Sequence, residues 1–188
     1  MTRTSNSPPT GGASTRIETR PGDASWEQAR PLFEAVWPAE LRATFSWAHV
    51  VWANAEQRIL VWNHADELVC HVGMHLRQAK WGGANVTVGG IGGVITRADS
   101  RKRGHASAAI GVAIGHVQQD DGGADFALLF CEPHNFAFYR GLGWRQFAGE
   151  VFAQQPAGRV RFDVMAPFVF DLRLSPRSGT LDLCGLPW

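Results

Sequence analysis

Apolar and polar residues change their period several times along the chain, and each change marks an element. Arg16-Ile17-Glu18-Thr19-Arg20 suits a short first strand, and Pro21-Gly22 a turn after it. Trp26, Ala29, Phe33 and Trp37 recur at helical spacing, which predicts a helix over 26–37 capped by Asp23 or Ser25. Residues 39–55 carry Leu41, Phe45, Trp47, Val50, Val51 and Trp52, read as a second helix with a loop.

The period then falls to two. Residues 58–62 read as a strand, 63–66 as a hairpin turn without glycine, and 68–77 as the return strand. That strand sets Leu68, Cys70, Val72, Met74 and Leu76 on one face and Val69, His71, Gly73 and His75 on the other. After the turn Trp81-Gly82-Gly83 comes a long strand, 85–96, holding Gly89, Gly90, Gly92 and Gly93. So many glycines predict a bulge, or the close approach of another backbone or a ligand.

A helix over 104–119 follows, with Ala106, Ala109, Ile110, Ala113, Ile114 and Val117 as its apolar stripe and Asp120-Asp121-Gly122-Gly123 as its end. The unbroken apolar run 126–130 is a buried strand. A short helix over 134–141 precedes Gly143-Trp144, and 145–154 and 160–170 read as strands. The last residues, 171–188, are irregular, but Leu181, Leu183, Leu186 and Trp188 are too apolar for a solvated tail and predict that it docks. Residues 1–15, rich in Ser, Thr, Pro and Gly, are expected to be a disordered tail. The rest, 16–188, forms one α+β domain with a mixed, mostly antiparallel sheet.

Composition narrows the class. With 188 residues and 45% hydrophobic positions the chain can bury a sizeable core. A net charge of +1 offers little to nucleic acid or to an anionic membrane, so neither is expected as a partner. Three cysteines (Cys70, Cys131 and Cys184) without CxxC spacing suggest a reducing compartment, and with no apolar h-region near the start the cytoplasm is the expected location. His71 and His75 share a strand face, but no third ligand is spaced to complete a metal site, and none is expected.

Two segments carry candidate chemistry. Arg101-Lys102-Arg103-Gly104-His105-Ala106 fits [RQ]-x-x-G-x-[GA] at a strand-to-helix junction. Unpaired amides and the positive helix dipole there suit a pyrophosphate, small residues let it approach, and three cations add charge. The same residues also suit an ordinary solvated helix start. Neither a Walker A sequence nor GxGxxG is present. In the second segment, Phe130 to Trp144, Tyr139 is the chain's only tyrosine. It reads either as an amphipathic core residue or as an acid protonating a leaving group.

Together, the R-x-x-G-x-A loop and Phe138-Tyr139-Arg140-Gly141-Leu142-Gly143-Trp144 resemble the motifs of the GNAT superfamily of acyl-CoA N-acyltransferases, over about residues 57–170. That resemblance implies a central mixed sheet flanked by helices and splayed between its fourth and fifth strands, with acetyl-CoA as co-substrate in the cleft. It implies main-chain contacts from Val94, Ile95 and Thr96 to the pantetheine. Arg101, Lys102, Arg103, Gly104, His105, Ala106 and Ser107 would hold the pyrophosphate. Tyr139 would be the acid and an amide near Val94 the oxyanion donor. The implied reaction is transfer of an acetyl group to a primary amine of a small molecule, by direct attack in a ternary complex. A module that binds CoA without turning it over is the alternative.

For the base, Glu132 is the first candidate and His134 the second, with a water chain to a carbonyl as a third route. A narrower resemblance, to aminoglycoside 2′-N-acetyltransferases, rests on 94–110 and on Cys184-Gly185-Leu186-Pro187-Trp188. It implies that the carboxylate of Trp188 reaches the acceptor site. Yet Gly92 stands where those enzymes carry a glutamate, and Leu186 where they carry an acid. Trp26, Trp37, Trp47, Trp52 and Trp81 are expected around the acceptor, with Asp23, Glu34, Glu40 or Asp182 to meet its charge. The last strands permit a homodimer.

Overall fold

The computed structural model describes residues 15–119 and 123–188. The expected tail over 1–15 lies almost wholly outside these residues, as do Asp120, Asp121 and Gly122 at the expected helix end. The chain runs β1 (Arg16–Pro21), α1 (Gly22–Val36), α2 (Ala39–Arg42), β2 (Gln57–Trp62), β3 (Leu68–Trp81) and β4 (Ala84–Thr96). It continues with α3 (His105–Gln119), β5 (Phe126–Cys131), α4 (Phe136–Gly141), β6 (Arg145–Gln146), β7 (Glu150–Gln155), β8 (Gly158–Arg161), β9 (Ala166–Asp171) and β10 (Thr180–Asp182).

The strands form one mixed sheet in the order β6-β9-β5-β4-β3-β10-β7-β8, with β2 also on β3 and β1 on β2. Among the described residues only β4–β5 and β7–β10 pair in parallel. Strand β4 pairs with β5 over Val88 to Ile91 and no further. Beyond Ile91 the two strands diverge, so residues 92–96 of β4 have no strand partner on that side among the described residues, and a cleft opens there. This is the expected splay between the fourth and fifth strands.

The sheet buries a core on each face. Under α3, Ala109, Ile110, Ala113 and Val117 meet Cys70, Val72 and Met74 of β3 together with Tyr139, Trp144 and Phe168. On the other side the curled strands enclose Phe126, Leu128, Phe130, Phe147, Phe162, Leu181, Leu183 and Trp188. The period-two reading of β3 holds for its middle: Cys70, Val72 and Met74 face α3, and His71 and His75 face away. Leu76 is partly exposed.

Several expectations need correction. Pro21-Gly22 is no free turn, because Pro21 ends β1 and α1 begins at Gly22, earlier than residue 26. Gly22 is needed there: a Cβ would stand 1.7 Å from the carbonyl oxygen of Ala55. Neither Asp23 nor Ser25 caps the helix; the Ser25 hydroxyl turns back to the carbonyl of Pro21. The buried face of α1 is Gly22, Ser25, Ala29 and Leu32. The aromatics Trp26, Phe33 and Trp37 lie beside that face, where they meet the cavity described below. Residues 39–55 hold only the four-residue α2, then turns. The hairpin at 63–66 manages without glycine because Asp66 takes a φ of 57° and Asn63 Oδ1 accepts from the amides of Ala65 and Glu67. The region 171–188 is not wholly irregular, since β10 inserts between β3 and β7. The stretch expected as strands over 145–154 and 160–170 is broken into β6 to β9.

Candidate active site

The expected bulge sits in β4. His71 pairs with Ile95 and Gly73 with Gly92, so β4 has one residue more than β3 between these pairs. Gly93 takes a φ of +55° there, in the left-handed region that glycine enters without penalty. Its carbonyl accepts a hydrogen bond from His71 Nδ1 at 2.7 Å. The other ring nitrogen, Nε2, accepts from Arg58 Nη1 at 2.9 Å, since a guanidinium can only donate. These two partners dictate the neutral tautomer, and burial holds the imidazole pKa down to about 3.

Around this bulge lies a cavity of about 340 Å³. One wall is aromatic. Trp26, Phe33, Trp37, Trp47 and Trp52 follow one another with ring centroids 5.3 to 5.8 Å apart, mostly edge to face. Phe33 also meets His71 edge-on, at 4.8 Å. Opposite, the end of β5 and the helix after it contribute Phe130, Cys131, Glu132, Asn135 and Tyr139. Trp188 closes the site from the curled half of the sheet. Its indole donates to the carbonyl of Leu128 and stacks on His75 at 5.4 Å. A Cβ at Gly90 would stand 2.3 Å from that indole, and one at Gly92 would stand 2.8 Å from the Trp188 main chain. The close approach expected of these glycines is thus made by residue 188.

Tyr139 is buried, and burial with the neighbouring thiols of Cys131 and Cys70 pushes its phenol above the ordinary range, so it stays protonated. Burial also lifts the Cys131 thiol, to about 12. A thiol so rarely ionised is a poor nucleophile. Glu132 lines the cavity with its side chain one-third exposed, 3.6 Å from His134 Nδ1. His134 itself points to solvent, with 70% of its side chain exposed, and does not line the cavity. Among the described residues Glu132 is the only carboxylate side chain there: Asp23, Glu34, Glu40 and Asp182 are all elsewhere. Trp81 is elsewhere too, donating from its indole to the carbonyl of Ser178.

The basic loop joins the bulged end of β4 to α3. Val94 lines the cavity, Ile95 is buried and Thr96 ends the strand. A short 3-10 turn, Ala98–Ser100, leads to Arg101, whose Nε donates to the carbonyl of Thr96. Lys102 and Gly104 take φ values of 60° and 82°. A Cβ at Gly104 would meet nothing within 4 Å. Arg101, Lys102 and Arg103 are exposed and make no ion pair among the described residues. His105, Ala106 and Ser107 form the first turn of α3. Thus a strand without a partner on one side leads into open amides at a helix start, flanked by free cations. These features fit the diphosphate and pantetheine arm of acetyl-CoA. No cluster of three metal-ligating side chains exists among the described residues, and no helix there is long and apolar enough to cross a membrane.

Arg42 and Arg58, both in the cavity lining, carry no motif that marks them in the sequence. Arg58 opens an apolar strand and looks there like an ordinary edge charge.

Comparison with known proteins agrees with this geometry. Residues 19–147 match the family model described as an acetyltransferase (GNAT) domain. The fold is similar to that of YhbS, a GNAT family N-acetyltransferase of Escherichia coli solved with CoA: TM-score 0.62, 14% identity, 96% of this chain and 94% of that one. A GNAT family acetyltransferase of Brucella melitensis solved with acetyl-CoA gives a TM-score of 0.54 at 13% identity, over 90% of this chain and 95% of that one. A longer protein of Enterococcus faecalis gives 0.54 at 19% identity over 71% of this chain, which spans 33% of its length. At such identities the likeness carries the fold. No curated protein sequence matches the chain significantly.

Proposed function

The chain belongs to the GNAT acetyltransferase family, whose members use acetyl-CoA, and from that premise we propose that it acetylates a primary amine of a small molecule held in the aromatic cavity. The observation that carries this reading is the meeting, in one cavity, of the β4 bulge, Tyr139 and Glu132. Acetyl-CoA brings the acyl group as a thioester. Val94, Ile95 and Thr96 hold its arm through their main chain, and Arg101, Lys102, Arg103, Gly104, His105, Ala106 and Ser107 hold its diphosphate.

In the transfer a C–N bond forms and the C–S bond breaks. The amine nitrogen gives up a proton, and Glu132 takes it. The sulfur gains a proton, and Tyr139, kept protonated by burial, supplies it. An amide at the bulge, near Val94, faces the charge that grows on the acyl oxygen. His71 fixes that bulge through its bond to Gly93 and acts as a positioning residue. Cys131 supports direct attack, because its elevated pKa leaves no ready thiolate to carry the acyl group. The site holds Trp188 against Gly92, where the narrower aminoglycoside resemblance would place an acid. Because Gly92 and Leu186 stand where the narrower resemblance would have acids, a polycationic aminoglycoside is a poor fit, and we place it outside the acceptor class.

Thiol release from acetyl-CoA across an amine panel tests the reading. Tyr139→Phe should lower kcat by about a hundredfold or more, with acetyl-CoA affinity nearly unchanged. An unchanged kcat removes Tyr139 from its role. If acetyl-CoA binds but no amine turns over, a CoA-binding module without chemistry is the better account.

A further inference from the structure

Granted that the acceptor enters the aromatic cavity, the charges that line it define what that acceptor must carry besides its amine. Among the described residues the formally charged side chains in the lining are Arg42, Arg58 and Glu132, and the main-chain carboxyl carbon of Trp188 lies against Gly92. Arg58 is the unusual one. It is only 6% exposed, yet it makes no ion pair among the described residues. Burial holds its pKa below the ordinary range, and Asp23, which offsets this in part, is not in the cavity. Its hydrogen bonds go to uncharged groups: Nε donates to the carbonyl of Gly22 at 3.1 Å, and Nη1 to His71 Nε2. Nη2 has no hydrogen-bond partner among the described residues. The guanidinium lies over the Trp26 ring, 5.0 Å from its centroid, and this contact fixes its plane.

A buried cation with neutral partners and spare donors is costly to keep. A guanidinium repays that cost when its planar fork meets a carboxylate in two parallel hydrogen bonds. The position suits such a role. Arg58 stands one imidazole away from Gly93 and hence from the bulge where the amine must react. The rest of the lining is aromatic and suits an apolar body.

We propose that the acceptor is an amino acid with an aromatic or large apolar side chain, and that Arg58 binds its carboxylate while Trp26, Phe33, Trp37, Trp47 and Trp52 receive the side chain. The proposal rests on the acetyltransferase reading above and names its substrate class. In this arrangement Glu132 faces the amine and Arg58 the acid, so the two ends of the substrate are told apart by opposite charges.

Paired acceptors test it: L-phenylalanine against phenethylamine, and L-tryptophan against tryptamine, each with acetyl-CoA. The carboxylate-bearing member should win by about ten- to a hundredfold in kcat/KM, the range of one charge-assisted contact. That ratio should collapse toward one in Arg58→Gln and survive in part in Arg58→Lys. A ratio of one or below in the wild type, or a ratio that Arg58→Gln leaves intact, overturns the proposal. A second measurement does not depend on turnover. N-Acetyl-L-phenylalanine and N-acetylphenethylamine are titrated calorimetrically into the CoA-loaded protein. Preferential binding of the acid, lost in Arg58→Gln, upholds the proposal even if no acceptor turns over, and the catalytic reading alone then falls. Equal binding of the two overturns it. Should Arg58→Gln fail to fold, as judged by circular dichroism, Arg58→Lys and the wild-type ratios decide.

Discussion

His71 and His75 reach the cavity from the same face of β3, but their hydrogen bonding differs. His71 uses both nitrogens, whereas His75 Nδ1 is buried without a partner and the ring rests on Trp188. Burial holds both pKa values near 3, against an ordinary 6.5. Below pH 6.5 the unfolded chain takes up protons that the folded chain refuses, so stability falls as pH drops from 6.5 toward 3. The slope is at most about 1.4 kcal/mol per pH unit for each ring. His75→Phe keeps the stack, removes the orphaned nitrogen and deletes one titrating group. Thermal melts between pH 7 and pH 5 should therefore show about half the wild-type loss for this variant. A variant that loses stability as steeply as the wild type would show that His75 is not held neutral by the fold. In the sequence these two histidines show only as a pair sharing a strand face, with no third ligand to complete a metal site. What they do depends on Arg58 and Trp188, residues brought to them from other elements.

At the scale of the element, the junction from β4 to α3 is where a local backbone rule meets the proposed diphosphate site. Gly104 holds a φ of +82° with open space where a side chain would go. Gly104→Ala therefore meets no clash, only the left-handed backbone penalty of about 1–2 kcal/mol. We expect acetyl-CoA to bind several-fold more weakly by calorimetry, with a small drop in melting temperature. Unchanged affinity and melting temperature would mean that the positive φ is dispensable. This junction was legible because its signals are local: alternation, glycines, a basic run, then a helical stripe. The same holds for the strands from β2 to β5. Residues 39–55 were misread because their aromatics look like a helix stripe but serve as a cavity wall. The strand β10 was missed because three residues, Thr-Leu-Asp, carry no periodicity, and the partners that make them a strand are β3 and β7.

At the scale of the molecule, one residue joins the cavity to the second core. Trp188 is 5% exposed; it stacks on His75, lies under Arg77 and approaches Phe130. Trp188→Ala should cost about 3–5 kcal/mol in chemical denaturation, because the glycines beneath it cannot fill the space. A loss below about 1 kcal/mol would show that the tail is held by β10 alone. The docking itself was foreseeable from four apolar residues, but its address was not, since nothing local says that an indole will settle over Gly90 and Gly92.

The address also has a temporal side. Arg77 binds the carbonyl of Leu186 across 109 positions, and Ala53 donates to that of Pro187. Until residues 180–188 pack, β3 lacks its β10 partner along Lys80 and Trp81, and Gly90 and Gly92 lack their indole cover. A nascent chain in which that segment has not yet packed thus presents an open strand edge and two bare glycines, the kind of surface through which partly folded chains associate.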